Sequence, residues 1–427
     1  MGSIMRGRFL AATTAVAATG LVALGTAAGA SAHSHHHSKH HSKHHARHHS
    51  RHHAHPRHHE HTGAGAPTSG APSSGAQFTA SVLVNGATLT HQLAGGGSEA
   101  LSSPDDITYL GGHIFVAFQN GVGPQGQASS SGNLDSTIVE FNHDGTEVTQ
   151  WDVTGKVDGL TADPEIGQLI ATANEDANSS LYTIDPTTGS TPVHYQYAEA
   201  LPHDGGTDAI TIYHGVILAS ASAPGTSGTP ASLAASPAVY VVKLDPANDM
   251  AYTEGLYSDG DPAVVANTNA TNFGATVNLA LTDPDSSSVV PDYADRFAGD
   301  FMLDSQGDLQ QIFFRGENKP LAVLNLSASI DDTVWPSGHE GTLYAVDNGN
   351  NQIDTVTGPF VRGSEVAAVT PCNANSAPAT CPAPGFPANY LGQIDPYTGT
   401  ITQLGVSGVT SFTPQSLLFL PEDQDRR

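Results

Sequence analysis

Histidines crowd one segment near the start of the chain and are the first residues whose type and spacing could do chemistry. Residues 33–61 hold sixteen histidines in twenty-nine positions, mostly as pairs separated by Ser or Ala and Lys or Arg. Neutral imidazole is a common protein ligand for Zn²⁺, Cu²⁺ and Ni²⁺. The segment is therefore predicted to bind these transition-metal ions, through side chains that include His33, His35, His36, His37, His40, His41, His44, His45, His48, His49, His52 and His53.

The residues before the histidines have the order of a secretory signal peptide. Arg6 and Arg8 are followed by a short apolar stretch and by Ala30–Ala32, which has an A-x-A cleavage pattern. Residues 1–32 are therefore predicted to be removed and the protein to be secreted, either extracellular or wall-associated. Cleavage there would expose an α-amine two residues before His35. The amine, two amides and this imidazole form a square-planar set suited to Cu²⁺ or Ni²⁺.

The chain after the signal peptide divides into three parts. Residues 33–61 have nothing apolar to bury and are predicted to be a disordered tail. Residues 62–77 are rich in Gly, Ala, Pro and Ser, as in a flexible linker. The globular part is predicted over 78–427, and we expect a monomer with no membrane span after signal cleavage.

Charge differs sharply between the tail and the globular part. From residue 62 onward, eight Lys and Arg face forty Asp and Glu. A nucleic-acid partner is excluded because no basic stripe is available to neutralise phosphates. The tail is basic and gains charge below about pH 6 as its imidazoles protonate. It could then bind an anionic cell-wall polymer or the acidic globular part itself, and an extracellular protein is a further candidate partner.

The chain has two cysteines, Cys372 and Cys381, which bracket a loop of eight residues. In a secreted protein a disulfide that closes this loop is the expected state. Paired thiolates as metal ligands are the alternative, but no third cysteine exists and no histidine is near in sequence.

From Phe78 onward, short alternating runs are separated by Gly, Pro, Asn and Asp, a pattern typical of an all-β chain. Two kinds of strand pair alternate, so that each repeating unit has four strands. One kind has an Asp-Pro-x-x-Gly type of turn and is predicted at 136–153, 180–197, 239–257 and 390–406. The other precedes it and is predicted at 103–118, 157–173, 207–221, 277–303 and 331–346.

The two ends of this region complete one another. Residues 413–420 match the first strand at 103–110 almost position for position, whereas the predicted hairpin at 81–93 lacks a first pair. Pairing of the N- and C-terminal strands would close a ring of blades, as in a β-propeller. Six first strands predict six blades. Five or seven are the alternatives because the gap between Asp332 and Gln415 is long.

Innermost strands of a propeller line its channel, so the residues that begin them should face one axis. These carboxylates would repel one another unless a cation lies among them or some are protonated. Oxygen-only ligands favour Ca²⁺. The alternative is that each Asp caps the turn entering its strand and the channel is wet. The predicted ring is Asp105, Asp158, Asp208, Asn278, Asp332 and Gln415, with Asn174 and Asn348 as neighbours.

The blade pattern, Asp or Asn followed two residues later by Ile or Leu and then by Asp-Pro-x-Thr-Gly, resembles a broad group of secreted bacterial propellers. The group includes the NHL, YVTN, SMP-30-like (gluconolactonase) and streptogramin-lyase families, and the resemblance covers residues 78–421. The lactonases imply a metal-dependent hydrolase, with Asp158, Asp208 and Asn174 analogous in position to metal ligands. The chain departs from that family, because no Glu begins a first strand. The lyases imply a His and Glu pair with Mg²⁺, but His339 and its neighbour Glu340 lie in a turn on the opposite face.

Three functions follow from these observations. The favoured one is a secreted, non-catalytic propeller that binds a ligand or metal and carries a metal-binding tail. The first alternative is a Ca²⁺-dependent lactonase or esterase acting at the channel mouth. The second is a scaffold for cell-wall polymer or an extracellular protein. No Ser-His-Asp order, phosphate loop or Cys nucleophile stands out.

Overall fold

The computed structural model describes residues 77–202, 205–222, 224, 236–371 and 389–425. The predicted signal peptide, the histidine-rich tail, nearly all of the linker and both cysteines lie outside these residues. The described residues form β-sheets with a few short helical turns, which confirms the all-β prediction. These turns include Gly86–Thr88, Gln306–Asp308, Asn348–Asn350 and Glu422–Asp425. No helix in these ranges is long and apolar enough to cross a bilayer.

The described strands form six blades of at least four antiparallel strands each, numbered here in chain order. The chain begins with β1 (Phe78–Asn85), which belongs to the last blade, and the outer hairpin of β2 (Thr90–Gln92) and β3 (Ser98–Ala100). Blade 1 contains β4 (Pro104–Leu110), β5 (His113–Phe118), β6 (Asp135–Phe141) and β7 (Glu147–Thr154). Blade 2 contains β8 (Val157–Asp163), β9 (Gln168–Ala173), β10 (Ser180–Ile184) and β11 (Val193–Tyr197).

Blades 3 and 4 follow the same plan, and blade 4 carries an additional outer pair. Blade 3 contains β12 (Thr207–Tyr213), β13 (Val216–Ala221), β14 (Pro237–Asp245) and β15 (Met250–Ser258). The outer pair of blade 4 is β16 (Pro262–Val265) and β17 (Thr276–Asn278). Its four main strands are β18 (Pro284–Val289), β19 (Phe301–Ser305), β20 (Gln310–Phe314) and β21 (Leu321–Asn325).

Blades 5 and 6 are interleaved in the sequence. Blade 5 contains β22 (Ile330–Val334), β25 (Glu365–Val369), β26 (Tyr390–Ile394) and β27 (Ile401–Gln403). Between β22 and β25 the chain forms the hairpin of β23 (Gly341–Asp347) and β24 (Gln352–Thr357), which belongs to blade 6. Blade 6 runs in the order β29, β23, β24, β1 and β28, where β28 is Val406–Ser407 and β29 is Pro414–Pro421.

The N- and C-terminal strands therefore share one sheet, which confirms the predicted ring closure. The partners inside that sheet differ from the prediction. The predicted pair over 331–346 does not form, because β22 pairs with β25 while β23 pairs with β29 and β24. The predicted hairpin over 81–93 is also wrong, since β1 pairs with β24 and β2 pairs with β3. Local alternation specifies a strand but does not choose its partner.

Six hydrophobic clusters of the described residues lie between neighbouring blades, one at each junction around the ring. The junction between blades 6 and 1 packs Tyr344 and Leu420 against Phe118 and Phe141. Each such side chain stabilises the fold by roughly 1.5–3 kcal/mol on burial. The last junction is as apolar as the others, so the ring closes through the same packing that joins consecutive blades.

Two buried aspartates meet in the closing blade. Asp347, at the end of β23, accepts hydrogen bonds from the backbone and side chain of Asn350 and of Thr413, at 2.5–3.2 Å. Asp354, on β24 opposite Val82 of β1, is 0% exposed, and neither carboxyl oxygen accepts a hydrogen bond from a described residue. Burial, and then the adjacent Asp347, raises the pKa of Asp354 to about 7.

Asp354→Asn is expected to stabilise the protein above neutral pH. A folded-state pKa above the unfolded value of 3.8 imposes a penalty that is absent below about pH 4, grows through about pH 7 and is complete above it. The amide resembles the protonated acid and avoids this penalty. In urea denaturation the variant should gain about 1–3 kcal/mol at about pH 8.5 and nothing at about pH 4.

The exposed Glu254 on β15 supplies the control, because Glu254→Gln should change the free energy of unfolding at neither pH. A variant Asp354→Asn that is no more stable than the wild type in alkali would contradict the assignment of Asp354 as a buried acid.

Candidate functional site

The second residue of each innermost strand is acidic or an amide. In all six strands this residue is left out of the regular ladder by a bulge, which turns its side chain away from the usual sheet direction. The six side chains line one central cavity of about 1050 Å³. We call them the acidic ring: Asp105, Asp158, Asp208, Asp285, Asp331 and Gln415.

Four members of the predicted ring lie in it, and two positions differ. Asn278 is exposed on the outer strand β17, and Asp285 on β18 takes its place. The predicted start of the inner strand therefore falls on β17, the second strand of an additional outer hairpin, and the inner strand itself is β18. Asp332 lines the cavity, but the ring position belongs to Asp331, one residue earlier.

Asn174 and Asn348 fasten backbone segments near the ring and are not among the cavity-lining residues. Asn174 Oδ1 accepts a hydrogen bond from the Lys156 N–H at 3.0 Å, and its amide donates to the Asn178 carbonyl at 3.1 Å. Asn348 donates to the Pro104 carbonyl at 2.8 Å. The adjacent Glu175, which sequence reasoning missed, does line the cavity.

A buried ion pair occupies one side of the ring. Lys156 Nζ lies 2.6 Å from Asp158 Oδ1 and also contacts Glu175. Gln119 donates to the same Asp158 oxygen at 3.1 Å, whereas Asp158 Oδ2 is buried and accepts no hydrogen bond from a described residue. Among the described cavity-lining residues, Lys156 is the one lysine or arginine. It directly precedes β8, but no repeat or motif marks it in the sequence.

Neutral amides bind three of the other four ring carboxyls. Gln306 Nε2 donates to Asp285 at 2.7 Å and to Asp331 at 3.0 Å, and Gln415 Nε2 donates to Asp105 at 2.6 Å. The ring therefore holds five carboxyl groups. Asp158 is paired with the lysine, and Asp105, Asp285 and Asp331 accept hydrogen bonds from uncharged amides.

Burial is the largest cause that raises the pKa of every ring carboxyl above its usual value, and neighbouring carboxylates add to it. The pKa of Asp158 rises to about 7 despite Lys156, and the pKa of Asp331 also rises to about 7. For Lys156, burial opposes the charged form, but Asp158, Asp105 and Glu175 outweigh it and raise the pKa of the ammonium group. Near neutral pH some ring carboxyls are therefore protonated, while others are ionised.

In blades 1 and 5 the residue after the ring position is a second aspartate, which binds backbone N–H groups of the neighbouring blade and so differs from the turn cap that the sequence offered as an alternative. Asp106 accepts hydrogen bonds from its neighbour Ile107, from the Leu160 N–H of blade 2 at 2.6 Å and from Ser416 Oγ of blade 6 at 2.9 Å. Asp332 similarly accepts from Leu417 N–H, at 2.7 Å. Asp106 and Asp332 also line the cavity, but unlike the ring carboxyls they join neighbouring blades through backbone hydrogen bonds.

The ring only partly meets the requirements of a divalent metal. Its hard oxygen donors suit Ca²⁺, and Asp158 Oδ2 offers a buried oxygen without a donor. However, no three His, Cys, Asp or Glu side chains of the described residues are grouped to hold one ion. The turn histidines are apart as well, since His113 faces Glu140 at 3.3 Å and His339 contacts the Phe360 carbonyl at 3.0 Å. A lactonase-like metal centre does not fit these residues, and Ca²⁺ stays a prediction.

The far end of the cavity is mixed in polarity: blades 4 to 6 contribute apolar side chains, whereas Asp163, Glu165 and His214 line the side of blades 2 and 3. The inner strands end there, roughly 13 Å beyond the ring at about 3.3 Å per residue over four residues. Trp335 and Phe419 are mostly buried there, and Tyr293 donates from its hydroxyl to the Trp335 carbonyl at 3.1 Å. The lining at this end includes Ile212, Val289, Tyr293, Trp335 and Phe419.

Six blades around one cavity, with five carboxyl groups near one end, define the class of the protein: a six-bladed β-propeller with an acidic central channel. No protein-family model matches the sequence, and no curated protein matches it.

Several solved structures are similar to the chain. A protein of unknown function from Bacteroides caccae is 10% identical, with 82% of this chain and 100% of that chain covered and a TM-score of 0.41. The periplasmic gluconolactonase of Pseudomonas aeruginosa is 13% identical, with 78% and 94% covered and a TM-score of 0.38. A streptogramin B lyase is 14% identical, with 80% and 92% covered and a TM-score of 0.39. Such scores carry no argument about activity, and the fold assignment rests on the strand topology.

Adjacent aspartates should respond oppositely to substitution. Asp106→Ala leaves the Leu160 N–H without its acceptor and should lower the free energy of unfolding by about 1–3 kcal/mol. Asp105→Asn keeps an acceptor for Gln415 and removes a buried carboxylate, so stability at about pH 8 should be unchanged or higher. Urea denaturation measures both. Equal losses for the two variants would refute the division between blade-joining and channel-facing carboxyls.

Proposed function

We propose that the protein is a ligand-binding propeller whose channel takes a small organic cation. The main support for this proposal is that the Lys156 ammonium group already lies among the ring carboxyls, 2.6 Å from Asp158 Oδ1. An ammonium group is therefore compatible with the spacing of these side chains. Five ring carboxyls and Glu175 face this single lysine, and carboxyls that hold protons near neutral pH can exchange them for a second cation.

The shape of the channel supports a ligand with a charged end and an apolar body. Its volume of about 1050 Å³ is close to the upper size of ordinary small-molecule sites. An ammonium group at the ring would leave the rest of the ligand to run toward the aromatic side chains of Trp335 and Phe419, away from Asp163, Glu165 and His214 on the other side of the cavity. The signal-peptide pattern supports the proposal that this binding takes place outside the cell.

Hydrolysis is not the function we propose. The lactonase-type mechanism needs a metal to polarise the ester carbonyl, and the described carboxyls are not grouped to hold one. A titration of the full chain with CaCl₂ tests the metal alternative. The histidine tail prefers softer ions than Ca²⁺, so it should not interfere with this measurement.

n-Octylammonium is a suitable probe, because its chain length approaches the distance from the ring to the aromatic end. Calorimetry of the full chain should detect one site, with proton release seen as a dependence of the heat on the buffer. The paired variant Asp285→Asn with Asp331→Asn should bind at least about tenfold more weakly, since each lost charge contact is worth about 1–2 kcal/mol.

Two controls make this titration decisive. 1-Octanol, which has the same apolar chain and no charge, should not bind measurably, and Glu254→Gln should bind n-octylammonium like the wild type. Binding that survives loss of both ring carboxyls would disprove the proposed site. Saturable CaCl₂ binding with the same dependence on Asp285 and Asp331, in the absence of amine binding, would favour the metal alternative.

We also propose that residues 33–61 bind transition metals, because sixteen imidazoles in one segment offer many nitrogen ligands. The mature chain should take up several Ni²⁺, Cu²⁺ or Zn²⁺ ions at about pH 7.5 and release them at about pH 5, where imidazole protonates. Deletion of 33–61 should remove this uptake and leave n-octylammonium binding unchanged. Metal analysis after dialysis measures the first result, and unchanged metal content after deletion would overturn the proposal.

A further inference from the structure

Lys156 is held rigidly at the acidic ring. Its backbone N–H donates to Asn174 Oδ1 at 3.0 Å, and its ammonium group contacts Asp158 and Glu175. Its side chain is 18% exposed and that of Asp158 is 4% exposed. The ammonium group therefore has two fixed partners in blade 2: Asp158 on β8 and Glu175 just after β9. It does not extend into solvent as most lysines do.

The two sides of the ring are neutralised in different ways. Asp158, Asp105 and Glu175 are the carboxylates that act most strongly on Lys156. Across the ring, Asp285 and Asp331 are hydrogen-bonded to each other through a proton and share the uncharged amide of Gln306. One side thus has its own cation and the other does not.

We infer that Lys156 is a built-in cation that fills one of two ammonium subsites in the ring, so that a ligand's ammonium group binds at the other, between Asp285 and Asp331. The first part of this inference is independent of the proposed function, and the second part rests on it. The consequence for specificity is that the channel takes a ligand with one cationic end, because a second cation would have to displace the lysine.

Because Asp158 is buried, the position of the Lys156 ammonium group should bind a free cation when the lysine is removed. The Oδ2 atom of Asp158 accepts no hydrogen bond from a described residue, and its Oδ1 atom depends on Lys156 and Gln119. Loss of the lysine would leave this carboxylate buried without a counter-charge, which is strongly unfavourable. A free ammonium ion of the right size should then enter the space that the side chain leaves.

Lys156→Ala with propylammonium as the probe tests this directly, since the substitution removes three carbons and the ammonium group. The variant should have a lower thermal midpoint than the wild type. Propylammonium should restore most of the loss in a saturable way, whereas 1-propanol at equal concentration should not. Restoration should persist when Asp285→Asn is added, because that residue belongs to the other subsite. The exposed Lys243 supplies the control, as Lys243→Ala should show no propylammonium-dependent recovery.

The outcomes separate the two proposals. If Lys156→Ala does not fold alone, recovery of its folded state by propylammonium but not by 1-propanol supports the inference. Equal effects of both compounds, no recovery, or recovery by CaCl₂ alone would overturn it. If the wild type binds no ammonium compound while Lys156→Ala is rescued, the proposed function fails and the assignment of Lys156 stands.

Discussion

Packing between neighbouring blades holds five carboxyl groups around one axis against their mutual repulsion. Six apolar clusters, one at each junction, bring the starts of the innermost strands together. Without ring closure the carboxyls would lie apart in water with ordinary pKa values. The closing blade completes this constraint, because it contains both ends of the described chain in a single sheet.

The structure separates two tasks that consecutive aspartates perform. In the pairs Asp105 and Asp106, and Asp331 and Asp332, both residues line the cavity, but only the second accepts a backbone hydrogen bond from the neighbouring blade. A bulge at the start of each innermost strand produces this arrangement by freeing the ring residue from the ladder. Stability and binding thus depend on neighbouring residues with the same side chain.

Protons and Lys156 share the negative charge of the ring, and under the proposed function a ligand's cation competes with them. Burial keeps several carboxyls protonated near neutral pH, both in the ring and at Asp354 in the closing blade. On one side of the ring the Lys156 ammonium group, rather than a proton on the carboxyl, neutralises Asp158. An arriving cation would replace protons at Asp285 and Asp331, so binding and pH are linked through the same groups.

The sequence by itself determined the all-β class, the repeating unit, the blade number and the closure of the ring, because strand alternation and turn residues recur locally. It also placed Asp105, Asp158, Asp208 and Gln415 at the channel, since each begins a recognisable inner strand. It misplaced Asn278 and shifted Asp331 by one residue, since bulges and an added hairpin leave no reliable mark on local alternation.

Only the tertiary structure decided which strands pair in blades 5 and 6, and only it brought Lys156, Glu175 and Gln306 to the ring. These contacts join residues far apart in sequence, and no local pattern records them. The physical reason is that a strand's alternation sets which of its faces is buried, whereas its partners are chosen by how all six blades pack into a closed ring.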